Sequence, residues 1–399
     1  MKWETVRLGE LIDIKHGYAF KGEFFSDSGE HILLTPGNCH GSGGLKLRPN
    51  KEKFYSGEFP DDYLLRKGDL LIVMTDLVGT APVLGGAFLI PENNRYLHNQ
   101  RLGLVTVTDQ ARLDSGFLYW LFNSHDYRGQ IRGSASGATV RHTSPGRVRN
   151  VTARVPSDVT TQRQIAETLF AYDDLIANNR RRIQLFEDSV RLLFDEWIVR
   201  GASSAAPEGG GKLQRMTLGD LCEDHRQLVL PAELGPSTPY IGLEHMPRRS
   251  IALSDWGVAS DVSSSKLCYS AGDVVFGKIR PYFHKVGLAL TDGVCSSDAI
   301  VMRAKAPQWR AFLLALVSSD EFIAATSQAM KEGSKMPRAD WKQMKAHQVS
   351  FPSQRVLEAF NAVVDPILEQ IKILALQARA LRAARDLLLP RLMSGELSV

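Results

Sequence analysis

The chain has 399 residues, of which 44% are apolar and 23% charged, with a net charge of +4. That length allows two or three domains, each with a core of its own, and the composition is that of an ordinary globular protein rather than a fibrous or disordered one. The longest apolar runs, residues 70–74 and 312–317, are too short to cross a bilayer, and acids stand in MKWETVRLGE where a signal peptide needs its apolar core, so the expectation is a cytoplasmic protein with no membrane partner.

In chain order, residues 1–157 read as a globular α+β region. Short strand-like runs (DLLIVM, GLVTV) alternate with Gly/Pro turns, and a clearer helix follows near 115–127. Residues 158–200 read as one long helix: Ile165, Leu169, Tyr172, Ile176, Asn179, Ile183, Phe186 and Val190 alternate steps of four and three, and Leu193 and Trp197 continue the series. Such a seam packs lengthwise against another helix. Asn179 within it is a candidate register device, because a polar seam residue fixes pairing. GASSAAPEGGGK, 201–212, lacks apolar anchors and reads as a linker. Residues 213–352 form a second globular region with strand-like DVVFG and AIVMR.

Residues 353–399 carry a second seam, Leu357, Phe360, Val364, Ile367, Ile371, Leu374, Ala378, Leu381, Arg385, Leu388 and Leu392, expected to pair with 158–200. Asp365-Pro366 interrupts it, and a kink or a fresh helix start is expected there, since proline removes a backbone donor. Apolar residues off the two seams (Phe170, Leu175, Phe194, Ile198, Ile373 and Leu376) suggest helices of a partner, because a helix pair buries one stripe only.

The two halves repeat each other. RLGEL is echoed by TLGDL, KGDLLIV by AGDVVFG, FLYWLFNSHDY by FLLALVSSDEF, SGAT by EGSK, VPS by FPS and QRQIAETL by QRVLEAFN, in the same order and at offsets drifting from 210 to 192. Each half is therefore a globular region followed by a long helix.

Catalytic motifs are missing. There is no phosphate-binding GxxxxGK[ST], no GxGxxG after a strand, no HExxH, and no Asn/Asp-Pro-Pro-aromatic tetrapeptide. Cys39, Cys222, Cys268 and Cys295 lack metal-ligand spacing and read as buried free thiols. Asp61-Asp62 and Asp173-Asp174 read as solvated charges rather than acid/base pairs. No catalytic, cofactor-binding or metal residue is expected.

Positive charge is instead concentrated locally. Residues 128–154 hold Arg128, Arg132, Arg141, Arg147, Arg149 and Arg154 with no acid. At the matching place in the second half, KEGSKMPRADWKQMK (331–345) holds five cations against two acids, and FGKIRPYFHKVG (276–287) is a third cluster. Arginine and lysine on loops suit phosphate contacts, and arginine also reads guanine edges. The candidate DNA-binding residues are Lys278, Arg280, Tyr282, His284 and Lys285 on one loop, Lys335 and Arg338 on another, and Arg141, His142, Ser136 and Thr139 in the first half. The candidate helix-seam residues are Ile165, Leu169, Ile176, Ile183, Phe186, Val190, Leu357, Val364, Ile367, Ile371, Leu374 and Leu381.

With IRPYFHKV, GSKMPR and the C-terminal LLPRLMSGEL, the whole chain resembles the specificity subunit of Type I restriction-modification systems. The resemblance implies two target-recognition domains reading a bipartite, asymmetric site in double-stranded DNA, spaced by two long antiparallel coiled-coil helices. It implies a non-catalytic chain that docks two methyltransferase subunits, with two restriction/translocase subunits as optional additions. S-adenosylmethionine, ATP and Mg then belong to the partners, and this chain binds no cofactor. A helix from Ile165 to Trp197 would be about 50 Å long, the length of roughly 10–15 base pairs of duplex. The competing readings are a self-contained nuclease or methyltransferase, against which the missing motifs count, and a coiled-coil adaptor or stand-alone DNA-binding protein without restriction-modification partners.

Overall fold

A computed structural model describes residues 2–48, 51–200, 214–329 and 336–399. The linker expected at 201–212 and the cations Lys331 and Lys335 lie outside them. Contacts divide the chain into a first unit, Met1–Asp173 with Ala383–Val399, and a second, Asp174–Arg382, so each unit takes one end of each long helix.

The run LLIV at Leu70–Val73 is apolar at every position because both of its faces are covered. Leu70 and Ile72 join a core with Ile12, Ile14, Val105 and the helix Ser115–Phe122, while Leu71 and Val73 join another with Ile32, Phe88 and Tyr96. The strand sits in an antiparallel sheet ordered Ile12–His16, Leu102–Val107, Leu70–Val73, Ala87–Leu89. A second small sheet, ordered Phe25–Ser26, Phe54–Tyr55, His31–Leu33, Tyr96–Leu97, covers its other face. Trp3–Arg7 and Thr152–Pro156 close the unit as an antiparallel ribbon.

The second unit repeats this plan. Its main sheet runs Cys222–Asp224, Ala299–Ala304, Val274–Gly277, Val286–Ala289, Ala252–Leu253, and Gln214–Thr217 pairs with Gln348–Phe351 as the closing ribbon. Val274 and Phe276 face one core and Val275 the other, the same alternation as in the first unit. The echoed KGD and AGD are the same turn. Gly68 (φ 89°) and Gly272 (φ 95°) take the left-handed backbone that glycine tolerates, and the carboxylates of Asp69 and Asp273 each accept the backbone N–H three residues back at 2.8 Å. The helices after the echoed FLYWLFNS and FLLALVSS start on Ser124 and Ser319, whose hydroxyls accept from Tyr127 and Phe322 N–H.

The long helices are Val159–Phe194, followed by a wider π-type turn at Asp195–Val199, and Gln354–Ser394. In the first unit Ile165 and Leu169, near the start of one, share a core with Leu392 and Met393 near the end of the other. In the second unit Ile183, Val190 and Phe194 meet Leu357, Phe360, Val364, Ile371 and Leu374. The pairing is thus antiparallel within each unit. Ile176 is buried, and Phe186, Ile367 and Leu381 are half-buried.

Two expectations are corrected. The second helix is unbroken through Asp365-Pro366, so of the two alternatives expected there the fresh start is excluded. Buried Val364 and Leu368 flank the proline, and the seam shifts by one residue so that Leu368 rather than Ile367 is the buried position. Of the off-seam apolar residues, three are covered by the chain itself. Phe170 stacks on Tyr119 with ring centroids 5.3 Å apart, Phe194 packs on Phe312 and Phe360, and Ile198 is buried in the second unit's core. The helices have a second face against the globular parts, which a seam pattern alone does not reveal. Leu175, Leu185, Leu192, Val363, Ile373 and Leu387 remain exposed, and Leu376 is half-buried.

Buried Glu187 fastens the first helix to the second unit. Its carboxylate accepts from Ser250 Oγ at 2.6 Å and from the N–H groups of Ile251 and Ala252 at 2.9 and 3.1 Å. Asp173, within the first unit, receives the guanidinium of Arg385.

Candidate nucleic-acid interface

In the second unit the strand Val274–Gly277 leaves the main sheet as the loop 278–285 and returns as Val286–Ala289. The sequence suggests two separate basic loops, but the fold joins them. Ile279 and Arg338 form a backbone bridge, Arg280 N–H donates to Pro337 O at 2.9 Å, and Ala339 N–H donates to Lys278 O at 2.9 Å. Cations far apart in sequence therefore share one platform.

The loop's crest is the short turn Pro281–Phe283, flanked by Arg280 and His284, both in left-handed backbone with φ 51° and 56°. A non-glycine residue held there costs about 1–3 kcal/mol, and such strain gathers at binding sites. Phe283 N–H bonds Arg280 O and His284 N–H bonds Pro281 O, each at 2.8 Å. Phe283 lies under the Arg248 guanidinium, 3.8 Å from its ring centroid, with Arg280 at 5.8 Å. Tyr282 projects from the crest, 51% exposed.

The individual candidates separate clearly. Arg338 is exposed and pairs with Asp298 at 3.3 Å, a surface pair that a phosphate or base edge can replace at little cost. Lys278 is half-buried and donates to Ser297 O at 2.9 Å, and Lys285 donates to Leu243 O; burial pushes both ammonium pKa values down. His284 is a correction. It is 6% exposed, with Nε2 2.6 Å from Ser318 O and Nδ1 3.5 Å from Asp320, and burial lowers its pKa. Its ring turns inward onto Ser318 O and Asp320 and holds the loop.

The first unit builds the same platform from different residues. Beyond Leu70–Val73 the chain pairs again at Thr75–Asp76 with Arg141–His142, antiparallel, with Thr75 opposite His142. His142 and Ser136 exchange backbone hydrogen bonds at 2.9 and 3.0 Å. The tight loop between them requires Gly137 (φ 88°), where a Cβ would lie 2.0 Å from Val140 O. His142 Nδ1 is 3.1 Å from Thr75 Oγ1. Ser136, Thr139 and His142 are exposed.

Arg141 is half-buried and donates to Arg132 O at 2.9 Å, at the end of the helix His125–Ser134, so part of its donor capacity supports the fold. Arg128, counted in the basic stretch, is 4% exposed and donates inward to Pro82 O at 2.6 Å. Arg147, counted in the basic stretch but not chosen as a candidate, donates to Ser136 Oγ at 2.9 Å, and sequence reasoning passed over Arg248. It also missed the exposed pair Leu77 and Val78 on the first crest. The KGD/AGD echo, which aligns Thr75 with Ile279, would have placed Leu77 and Val78 opposite Pro281 and Tyr282.

Among the described residues no group of three His, Cys, Asp or Glu could hold a metal. The cysteines are free, and burial raises the thiols of Cys39, Cys222 and Cys295 to about 12, which makes them inert. No helix of the described residues is long and apolar enough to cross a membrane.

Residues 1–187 match the family described as Type I restriction modification DNA specificity domain. The chain is 21% identical over 318 residues to the Type I restriction enzyme MjaIX specificity subunit of Methanocaldococcus jannaschii, covering 74% of this chain and 72% of that one. It is 20% identical over 405 residues to the EcoDI specificity subunit of Escherichia coli, covering 92% of this chain and 83% of that one. The crystal structure of a Type I restriction-modification S subunit from M. genitalium has the same fold, with a TM-score of 0.63 and 16% identity over 98% of this chain and 96% of that one. A family match over residues 1–187, relatives along most of the length and a shared fold agree: this chain is similar to the specificity subunits of Type I restriction-modification systems.

Proposed function

We propose that each unit reads one half of a bipartite, asymmetric site in duplex DNA through its paired-loop platform. The observation that carries this is the recurrence of one device: a strand leaving the main sheet, a crest, and a backbone bridge to a distant segment, Thr75–His142 in the first unit and Ile279–Arg338 in the second. In the second half-site Arg338, Arg280 and Tyr282 make the base and phosphate contacts, with Lys278, Lys285 and Lys335 adding positive charge. In the first, Arg141, His142, Ser136 and Thr139 do so. The chain itself performs no chemistry. Two methyltransferase subunits, bringing S-adenosylmethionine, dock on the exposed apolar positions of the long helices, such as Leu185, Leu192 and Leu387. Two restriction/translocase subunits, bringing ATP and Mg, complete the assembly in the cytoplasm. Helix length sets the unread gap: one added heptad in each helix adds about 10 Å, roughly three base pairs.

The test is to map modified adenines across a genome with and without this chain and its methyltransferase. Two short conserved elements at a fixed gap are expected, and scattered modification or none removes the proposal. Binding should also fall steeply with salt, as counterion release requires; a coiled-coil adaptor without nucleic acid would show no such binding.

A further inference from the structure

The two crests close in the same way. Ala81 (φ 50°) donates its N–H to Val78 O at 2.8 Å, as His284 (φ 56°) does to Pro281 O. Their chemistry differs. Where the second unit presents an aromatic ring and an arginine, the first presents two aliphatic side chains, Leu77 and Val78, 55% and 52% exposed. They are held out rather than collapsed inward. Buried Asp76 accepts from Val78 N–H at 3.0 Å and Val83 N–H at 2.7 Å, which fixes the turn from beneath. A Cβ on Gly79 would lie 3.3 Å from Ala138 O, so the crest packs on the loop between Ser136 and His142, beside which Arg147 donates to Ser136 Oγ. That neighbouring segment, 136–147, contains no acid.

An aliphatic pair bordered by cations fits a polyanion with an apolar group to offer. In the major groove that group is the 5-methyl of thymine, the one aliphatic feature among the base edges. We propose that Leu77 and Val78 are specificity-determining residues of the first unit and read a thymine methyl. This rests on the DNA-reading function above and goes beyond it by naming the base feature recognised.

The experiment uses the full chain assembled with its methyltransferase and the duplex that the wild type selects. Each thymine of the first half-site is replaced in turn by deoxyuridine, which lacks only the methyl. Wild type should bind at least one such duplex about fourfold more weakly, the value of one buried methyl. Leu77→Ala/Val78→Ala should bind the thymine duplex more weakly and no longer distinguish the two. Val78→Thr, which keeps the shape, should lose part of that discrimination. Assembly and contacts in the second half-site should be unchanged. Indifference of the wild type to every methyl overturns the inference, and so does retained discrimination in the double variant. Loss of methyltransferase assembly, with discrimination intact, also overturns it and marks the pair as a protein-docking patch. Failure of the wild type to select any duplex defeats the DNA-reading function itself, a result distinct from the others.

Discussion

The two units share a scaffold and differ at its exposed tips. The glycine turns at Gly68 and Gly272, the helix caps at Ser124 and Ser319, and the parallel pairs Leu33–Leu97 and Ile241–Cys295 all superimpose in role. Each of these is a buried or backbone feature, where close packing tolerates little change. The crests carry no such constraint, and there Leu77 and Val78 stand against Arg280 and Tyr282. Even the buried support differs: the carboxylate of Asp76 holds one crest, and the imidazole of His284 holds the other. One frame can therefore present two chemistries.

The largest test of this comparison is a residue identical in both repeats but placed in opposite surroundings. Gln162 and Gln354 occupy the same position in the echoed QRQIAETL and QRVLEAFN. Gln162 is fully buried. Its amide donates to Arg112 O and Pro156 O at 2.9 and 2.8 Å and accepts from Asp114 N–H at 2.8 Å, locking the long helix to the first unit. Gln354 is exposed, and its amide donates to Glu358 within its own helix. Gln162→Ala strands three backbone groups, at Arg112, Asp114 and buried Pro156, and should cost about 4 kcal/mol. Gln354→Ala should cost less than about 0.5 kcal/mol. Urea unfolding of the two variants measures the contrast, and equal losses would mean that the repeats share a fastening that the hydrogen bonds do not reveal.

Next in size is the response to acid. His98 is fully buried, with Nε2 3.0 Å from Leu102 O, and desolvation lowers its pKa from 6.5 to about 4. Its place after the parallel pair is held in the second unit by Ser296. The folded ring stays neutral while the unfolded chain takes up a proton as pH falls through 6.5. The stabilisation is therefore complete above 6.5 and is lost between 6.5 and 4, by about 3 kcal/mol. His98→Gln should flatten that slope in a series of thermal melts. His284 shifts in the same direction, so its unit is acid-sensitive with the same sign.

What was legible in the sequence follows from period and repetition. The heptad steps marked Ile165, Leu169, Ile183, Val190, Leu357, Val364 and Ile371, all of them buried. The echoed KGD and AGD marked a turn that occurs twice. The basic loops were visible as composition, but their junction was not, since the bridge between Ile279 and Arg338 is a long-range pairing with no local signature. Side-chain direction was equally hidden. His284 and Arg128 read as basic loop residues, yet both turn inward to carbonyl oxygens. Leu77 and Val78 were passed over because a search for positive charge does not find exposed aliphatic side chains.

Of intermediate size is Arg338→Ala, which should weaken specific binding by about 1–3 kcal/mol and relax discrimination in the second half-site alone. Removing the guanidinium also frees Asp298, its partner at 3.3 Å, to repel the duplex. Arg338→Ala/Asp298→Asn separates the two effects in a titration against duplexes altered in one half-site at a time. Equal loss on both half-sites would make Arg338 a general phosphate contact, and no loss would remove it from the interface.

The smallest expected effect concerns the seams. Asn179 and Ile371 are repeat counterparts, and both are buried, at 7% and 2% exposure. The asymmetry places one polar group in an apolar stripe, and burying an amide there costs free energy that isoleucine would not. Asn179→Ile should therefore raise stability slightly, by less than about 1 kcal/mol. A polar seam residue also restricts which alignments a helix pair accepts, so the variant should begin to pair between chains and sediment partly as a dimer at micromolar concentration. A variant that is more stable yet strictly monomeric would leave the asparagine without a role in register. In that case the alignment of the helices rests on the unit-specific fastenings, Gln162 in one unit and Glu187 in the other.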